Sequence, residues 1–148
     1  MSKSGAEAPR RVNPALQIRP ASRDDLPAIA AIQSASPQAS SWEPLDYDCY
    51  VAVEDGIIRG FLVTRRTAPD EAEILNLAVD PSFRRRGIAK RLAQNALRTS
   101  PGRWFLEVRE SNRAAIALYE SLGFRPVGTR QNYYEHPPEA AIVMSFFS

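Results

Sequence analysis

The densest run of positive charge in the chain, Arg84-Arg85-Arg86, leads directly into Gly87-Ile88-Ala89-Lys90, where an amphipathic helix begins. A helix start is already electropositive, because its first N–H groups lack intrahelical partners and the dipole adds a partial positive charge. Cations crowded there repel one another unless an anion sits among them. Gly87 lets the backbone approach such a ligand with no Cβ in the way, and Ala89 keeps the next turn slim. Arginine adds planar donors matched to phosphate oxygens. A pyrophosphate is the natural guest. The spacing is neither the GxxxxGK[ST] of a nucleotide-binding P-loop nor the GxGxxG of a dinucleotide site. A solvated basic face, a nucleic-acid patch and a plain helix start compete with the pyrophosphate reading.

Few other side chains announce chemistry by type alone. One cysteine, Cys49, excludes an internal disulfide, and with one histidine, His136, it excludes any familiar zinc cluster. No metal is expected. His136 lies in YYEHPPE, a proline-broken stretch expected at a loop tip on the surface.

The elements that must position the arginine loop follow from the pattern around it. LQIR (16–19) is a short strand, and Ser22 caps a helix whose first turn holds Asp24 and Asp25, suited to the dipole. Pro27 falls early enough in that helix to be tolerated. From Ser34 to Tyr50 the pattern fails in a proline- and serine-rich arm carrying Trp42. CYVAVEDGIIRGFLVTRR then predicts a hairpin turning at Asp55-Gly56. EILNLAVD is a near-continuous apolar strand, as expected where both faces are covered. The helix from Gly87 to about Arg98 buries Ile88, Ala89, Leu92, Ala93 and Ala96 on one stripe. WFLEVRE is the next strand, Asn112 to Leu122 a second amphipathic helix closed by Gly123, and 125–134 and 140–147 a closing hairpin. Helices interleaved with strands imply a single α/β domain over residues 15–148 with a mixed sheet.

Composition permits that and excludes other classes. The 148 residues, 44% hydrophobic and 24% charged, suit one soluble domain. A net charge of +2 is too mild to argue for nucleic acid by itself. No apolar run nears the ~18 residues that would span a bilayer. Residues 1–14 have no apolar stretch after their basic residues and too little apolar content for a core, so they are expected to be a disordered tail. A cytoplasmic location is the working expectation.

R-x-x-G-x-A after LNLAVDP resembles the acetyl-CoA loop of the GNAT N-acetyltransferases, and FLEVRESNRAAIALYESLGF (105–124) resembles the second half of that fold. The string is most similar to the RimI group, the bacterial enzymes that acetylate the N-terminal alanine of a ribosomal protein. The resemblance runs from about Ile18 to Phe146, tight from Glu73 to Tyr134 and weak before Val51. It implies the GNAT fold: a mostly antiparallel central sheet of six to seven strands flanked by about four helices. It also implies acetyl-CoA as cosubstrate and a protein N-terminus or other amine as acceptor. Leu77, Ala78 and Val79 would pair their backbone with the pantetheine arm. Arg85, Arg86, Gly87, Ile88, Ala89 and Lys90 would wrap the pyrophosphate, and Asn112 would touch the cofactor farther along. Glu107 stands where the group keeps its general base and Tyr119 where it keeps its general acid. Tyr134 and Trp42 are the candidates for gripping the acceptor.

Those residue types suit acyl transfer. An α-ammonium with a pKa of about 7.7–8.0 must lose a proton before it attacks a thioester, and a carboxylate can take it. A strand N–H near Leu77 or Val79 can stabilise the developing oxyanion, and a phenol can protonate the leaving sulfur. Plainer roles stay open beside these. Glu107 shares a strand face with Arg109 and could pair with it, Tyr119 could be a core-edge aromatic, and Asn112 could be an N-cap. The arm is short for the family, and Glu139 is followed by Ala140 where the group tends to have an acidic pair. Both departures fall on the acceptor side.

Overall fold

The computed structural model describes residues 15–35, 47–135 and 138–147. The N-terminal tail, most of the proline-rich arm including Trp42, and His136 lie outside these described residues.

In chain order the elements are β1 (Gln17–Pro20), α1 (Leu26–Ser34), β2 (Asp48–Glu54), β3 (Ile57–Ala68) and β4 (Glu71–Val79). There follow α2 (Ile88–Thr99), β5 (Arg103–Arg109), α3 (Arg113–Ser121), β6 (Arg125–Glu135) and β7 (Pro138–Phe147). The strands form one seven-stranded sheet in the order β1-β2-β3-β4-β5-β7-β6. Every neighbouring pair is antiparallel except β4 and β5. The sheet is the one expected. Among the described residues three α-helices and two single turns of 3-10 helix stand where about four helices were anticipated.

The β2–β3 hairpin turns where the sequence placed it, with Asp55 and Gly56 both at positive φ (54° and 74°). Alternation along β3 sorts the core onto two faces. Leu62 joins Leu92 of α2, Trp104 and Leu106 of β5, and Tyr119 and Phe124 around α3. Phe61 and Val63 point the other way, to Ile29 and Ile32 of α1. Helix α2 seats Ile88, Leu92, Ala93, Ala96 and Leu97 in the core and leaves its basic stripe outside. Its Ala89, placed on the apolar stripe by the sequence pattern, is only half-buried.

The exceptional pair defines the architecture. Strands β4 and β5 run parallel and stay in register only from Glu71–Arg103 to Ile74–Leu106. Beyond that point β4 continues beside β3, with Leu77 opposite Leu62 and Val79 opposite Gly60. Strand β5 continues beside β7, with Glu107 opposite Val143 and Arg109 opposite Ala141. The two strands therefore splay and leave a gap through the sheet. Strand β4 also bulges as it leaves: Asn76 pairs with Val63 and Ile74 with Thr64, so Leu75 is the extra residue.

Candidate active site

The arginine loop begins at one lip of this splay. Asp80 ends β4, its N–H bonded to the Arg59 carbonyl at 2.7 Å, and its side chain takes the Ser82 N–H at 2.9 Å. A 3-10 turn over Pro81–Phe83 follows. The Phe83 ring has the Arg59 guanidinium 3.7 Å from its centroid and that of Arg86 at 4.8 Å, which anchors the loop to β3 by cation–π contact. Arg85 and Gly87 are both left-handed, at φ 65° and 79°. For arginine that conformation is strained, and strain of this kind concentrates at ligand clamps. Gly87 caps α2 with no side-chain hydrogen bond, and the first turn holds no acidic residue. The first helical hydrogen bond runs from the Arg91 N–H to the Gly87 carbonyl. The donors of Ile88, Ala89 and Lys90 thus lack the cap that helices normally carry.

Helix α3 makes the contrast. Asn112 accepts the Ala115 N–H at 3.2 Å and caps that helix itself. The capping role expected of Asn112 is present, and it is compatible with a cofactor contact as well.

Glu107 lies on the opposite lip. It does not pair with Arg109. Arg130, on β6, donates to Glu107 Oε2 at 2.6 Å, while Arg109 reaches Glu139 at 3.2 Å and stacks its guanidinium 4.3 Å from the Tyr134 ring centroid. The partners come from other strands: Arg130 reaches Glu107 from β6 across the intervening β7, and Glu139 lies on β7 two residues from Ala141, which stands opposite Arg109. Glu139 also takes the Ser111 N–H, and the hydrogen bonds from Ser111, followed by those from Arg109, hold its carboxyl below its ordinary range. Glu139, alone where the family tends to have an acidic pair, is thereby committed to fixing the β5–α3 loop. The Glu107 carboxylate close to Tyr133, followed by desolvation, raises its phenol pKa, and the Tyr133 ring meets that of Tyr134 edge-on at 5.1 Å. Half-buried Tyr134 is pushed up to about 12, chiefly by desolvation and then by Tyr133 and Glu107.

Tyr119 is buried. Its ring packs edge-on against Phe124 at 5.6 Å, and desolvation, with a smaller contribution from nearby Tyr134, raises its pKa well above that of a free phenol. It therefore has the core packing role in full and stays protonated at any working pH. Alternation along β5 puts Trp104, Leu106 and Val108 in the cluster that holds Tyr119, so Glu107 faces the other side of the sheet. The two catalytic candidates stand on opposite faces, with the splay as the opening between them.

The structure thus sets Glu107 and Tyr119 on opposite faces of the sheet with Tyr134 within electrostatic reach of each, and Leu77, Ala78, Val79 and the Arg85–Lys90 loop along the β4 side of the splay. Both tyrosines of RQNYYEH were candidates for an acceptor grip from the sequence, but the pairing of Arg130 with Glu107 and the joint engagement of Arg109 with Glu139 and Tyr134 were missed. Only tertiary pairing could have found them. Trp42 lies outside the described residues.

Comparison with known proteins agrees with this fold. The model of the acetyltransferase (GNAT) family matches residues 17–124. The [ribosomal protein bS18]-alanine N-acetyltransferase of Salmonella typhimurium is 43% identical over 97 residues, which cover 62% of this chain and 65% of that protein. The match thus spans just under two thirds of that curated relative. The crystal structure of the ribosomal-protein-S18-alanine N-acetyltransferase from Escherichia coli superposes with a TM-score of 0.76 at 34% identity, covering 88% of this chain and 92% of that one. Ard1 from Thermoplasma volcanium superposes with a TM-score of 0.78 at 27% identity, covering 89% and 97%. With its splayed parallel pair, its uncapped helix behind an arginine loop and a family match over most of its length, the chain belongs to the acetyltransferase (GNAT) family.

Proposed function

We propose that this protein transfers the acetyl group of acetyl-CoA to the N-terminal α-amine of a protein, by direct transfer at the β4–β5 splay. The observation that carries the reading is the splay itself. It leaves the end of β4 unpaired by β5, next to an uncapped, acid-free helix start on one side and a carboxylate on the other. Family membership supplies acetyl-CoA as the thioester, and the names of the relatives point to a protein N-terminus.

Each group then has a task. Leu77, Ala78 and Val79 offer backbone to the pantetheine amides as a strand would. The Arg85–Lys90 loop and the Ile88–Lys90 donors hold the pyrophosphate. Glu107, directly or through water, removes the proton from the incoming ammonium, whose positive charge can replace that of Arg130 beside the carboxylate. The Leu77 or Val79 N–H receives the charge developing on the carbonyl oxygen. Tyr119, neutral throughout, donates to the departing sulfur from the other face. Because burial holds that proton tightly, the donation is mainly a hydrogen bond that strengthens as the C–S bond breaks, and the leaving thiolate takes the proton that the attacking nitrogen sheds on becoming an amide. Tyr133 and Tyr134, on the same hairpin as Arg130, border the path of the acceptor chain.

An α-amine favours this design. Its pKa lies near neutrality, whereas lysine's is about 10.4, so a single carboxylate can free it readily. Peptides beginning with a small residue, alanine foremost, should be acetylated, and the same peptides N-blocked but carrying lysine should not. Rapid acetylation of the blocked lysine peptide would overturn the α-amine assignment in favour of a side chain or small amine.

A further inference from the structure

We infer that Asn76 is a positioning residue for the transfer step, holding the Leu77 N–H aimed at the place of the reacting carbonyl. The inference rests on the acyl-transfer reading above. Asn76 sits at the β4 bulge and is among the few buried polar residues, 6% exposed. Its Nδ2 donates to Gln33 Oε1 at 2.8 Å, and its Oδ1 accepts the Leu77 N–H at 2.9 Å. A backbone N–H can only donate, so it dictates which end of the amide is oxygen, and the nitrogen is left to face Gln33. The orientation of the Asn76 amide is therefore fixed at both ends.

The bulge explains how this arises. Leu75 packs in the α1-side cluster and Asn76 reaches α1 through Gln33, so two successive side chains turn to one face. Just beyond, β4 has lost β5, and the Leu77 N–H meets a neighbouring side chain. The partner it meets is an amide carbonyl, the same class of acceptor as a thioester carbonyl. Asn76 Oδ1 thus stands in for the substrate oxygen and keeps the donor pointed without reorganisation, the condition under which an oxyanion donor is most effective. Being neutral, it yields or shares the N–H when a more negative oxygen arrives. Gln33, in the last turn of α1, keeps the amide from rotating away.

Asn76→Asp separates this role from packing. The side chain keeps its shape, and Gln33 can turn its own amide to donate to the new carboxylate, so the fold has a way to satisfy it. The carboxylate, however, competes for the Leu77 N–H and repels the developing oxyanion. Asn76→Asp should lower kcat about a hundredfold and Asn76→Ala about tenfold, the scale of losing an oxyanion donor or its aim. The KM for acetyl-CoA and the melting temperature of Asn76→Asp should stay near those of the parent. In the parent, the Leu77 amide proton followed by NMR should move further on adding acetyl-CoA than on adding CoA, which lacks the carbonyl.

Asn76→Asp turning over like the parent while Glu107→Gln is impaired would overturn the role of Asn76 and leave the acyl-transfer reading standing. A loss in Asn76→Asp that only tracks loss of folded protein, or a Leu77 amide that responds alike to both ligands, would overturn it equally. Full activity in Glu107→Gln would instead strike at the reading of the site.

Discussion

Along the β4–α2 side of the splay, the groups proposed to meet acetyl-CoA are, apart from the arginine loop, backbone: the edge of β4 at Leu77–Val79 and the first donors of α2. On the β5–β6–β7 side they are side chains, and their partners come from far along the chain, Arg130 to Glu107 across 23 residues and Arg109 to Glu139 across 30. A site made of backbone is fixed by the fold and tolerates exchange of most side chains. A site made of paired side chains can be retuned by single substitutions with the sheet unchanged. The donor half is accordingly suited to one invariant ligand and the acceptor half to a choice among ligands. Activity should therefore fail differently when each half is damaged.

The largest separation is expected at Glu107. Glu107→Gln keeps the shape and an acceptor for Arg130 but loses basicity, and should lower kcat on the order of a hundredfold with acetyl-CoA binding intact. Tyr119→Phe keeps the ring against Phe124 and removes only the hydroxyl. A kcat loss in Tyr119→Phe at unchanged melting temperature would assign the hydroxyl to chemistry, and parent-like turnover would leave Tyr119 a core aromatic alone. Steady-state kinetics on an N-terminal peptide, with melting curves, decide both.

Damage to the donor half should appear as lost binding. Saturating acetyl-CoA at a hundredfold excess over its dissociation constant should stabilise the fold by about 2.7 kcal/mol. Gly87→Asp should abolish most of this, because it sets a negative charge beside the pyrophosphate and forces a side chain into the left-handed region at φ 79°. Thermal melts with and without acetyl-CoA measure the difference. A Gly87→Asp protein that gains as much as the parent would break the division into halves, since the ligand would then be held elsewhere.

A smaller effect, confined to the acceptor, is expected at Tyr134. Tyr134→Ala removes the ring over which Arg109 stacks and should raise the peptide KM about tenfold, near the upper range of a partly desolvated cation–π and ring contact. Acetyl-CoA affinity should not change. If both constants move together, the hairpin supports the whole splay and the halves are not independent.

The same division governs how much could be read from the residues. The loop, the helix start and the strand before it are local patterns, so Arg84 to Ala89 after LNLAVDP announced the donor half from one short stretch. The Asp55-Gly56 turn and the apolar stripe of α2 were legible for the same reason. Glu107 and Tyr119 were picked out only by resemblance; nothing local predicts that β6 brings Arg130 to one or that Phe124 packs on the other. The alternative of pairing Glu107 with Arg109 followed strand alternation as to face, and partners from β6 and β7 took its place. Asn112 was legible as a cap because capping is local. The bulge at Leu75, which sends Asn76 to Gln33, leaves no mark in a continuous apolar run.

The smallest predicted effect tests whether the donor half is as rigid as its backbone construction implies. Gly60 on β3 faces Val79, and a Cβ built there would lie 3.0 Å from the Ala78 carbonyl oxygen, 3.2 Å from Val79 Cγ2 and 3.4 Å from Ile88 Cγ2. Those contacts join β3, the end of β4 and the first residue of α2, the three elements that frame the donor site. An alanine fits only if β4 or α2 gives by a few tenths of an ångström, and backbone gives less easily than a side-chain tip. Gly60→Ala should therefore cost about 1 kcal/mol of stability, the low end for overpacking a core. It should also raise the KM for acetyl-CoA a few-fold, because the displaced groups, Ala78 and Val79, belong to the strand edge that receives it. The peptide KM should stay at the parent value, since Glu107, Arg130 and Tyr134 stand across the splay. Should the peptide KM rise instead and the acetyl-CoA KM hold, strain at β4 would be reaching the acceptor half, and the splay would have to be treated as one deformable unit.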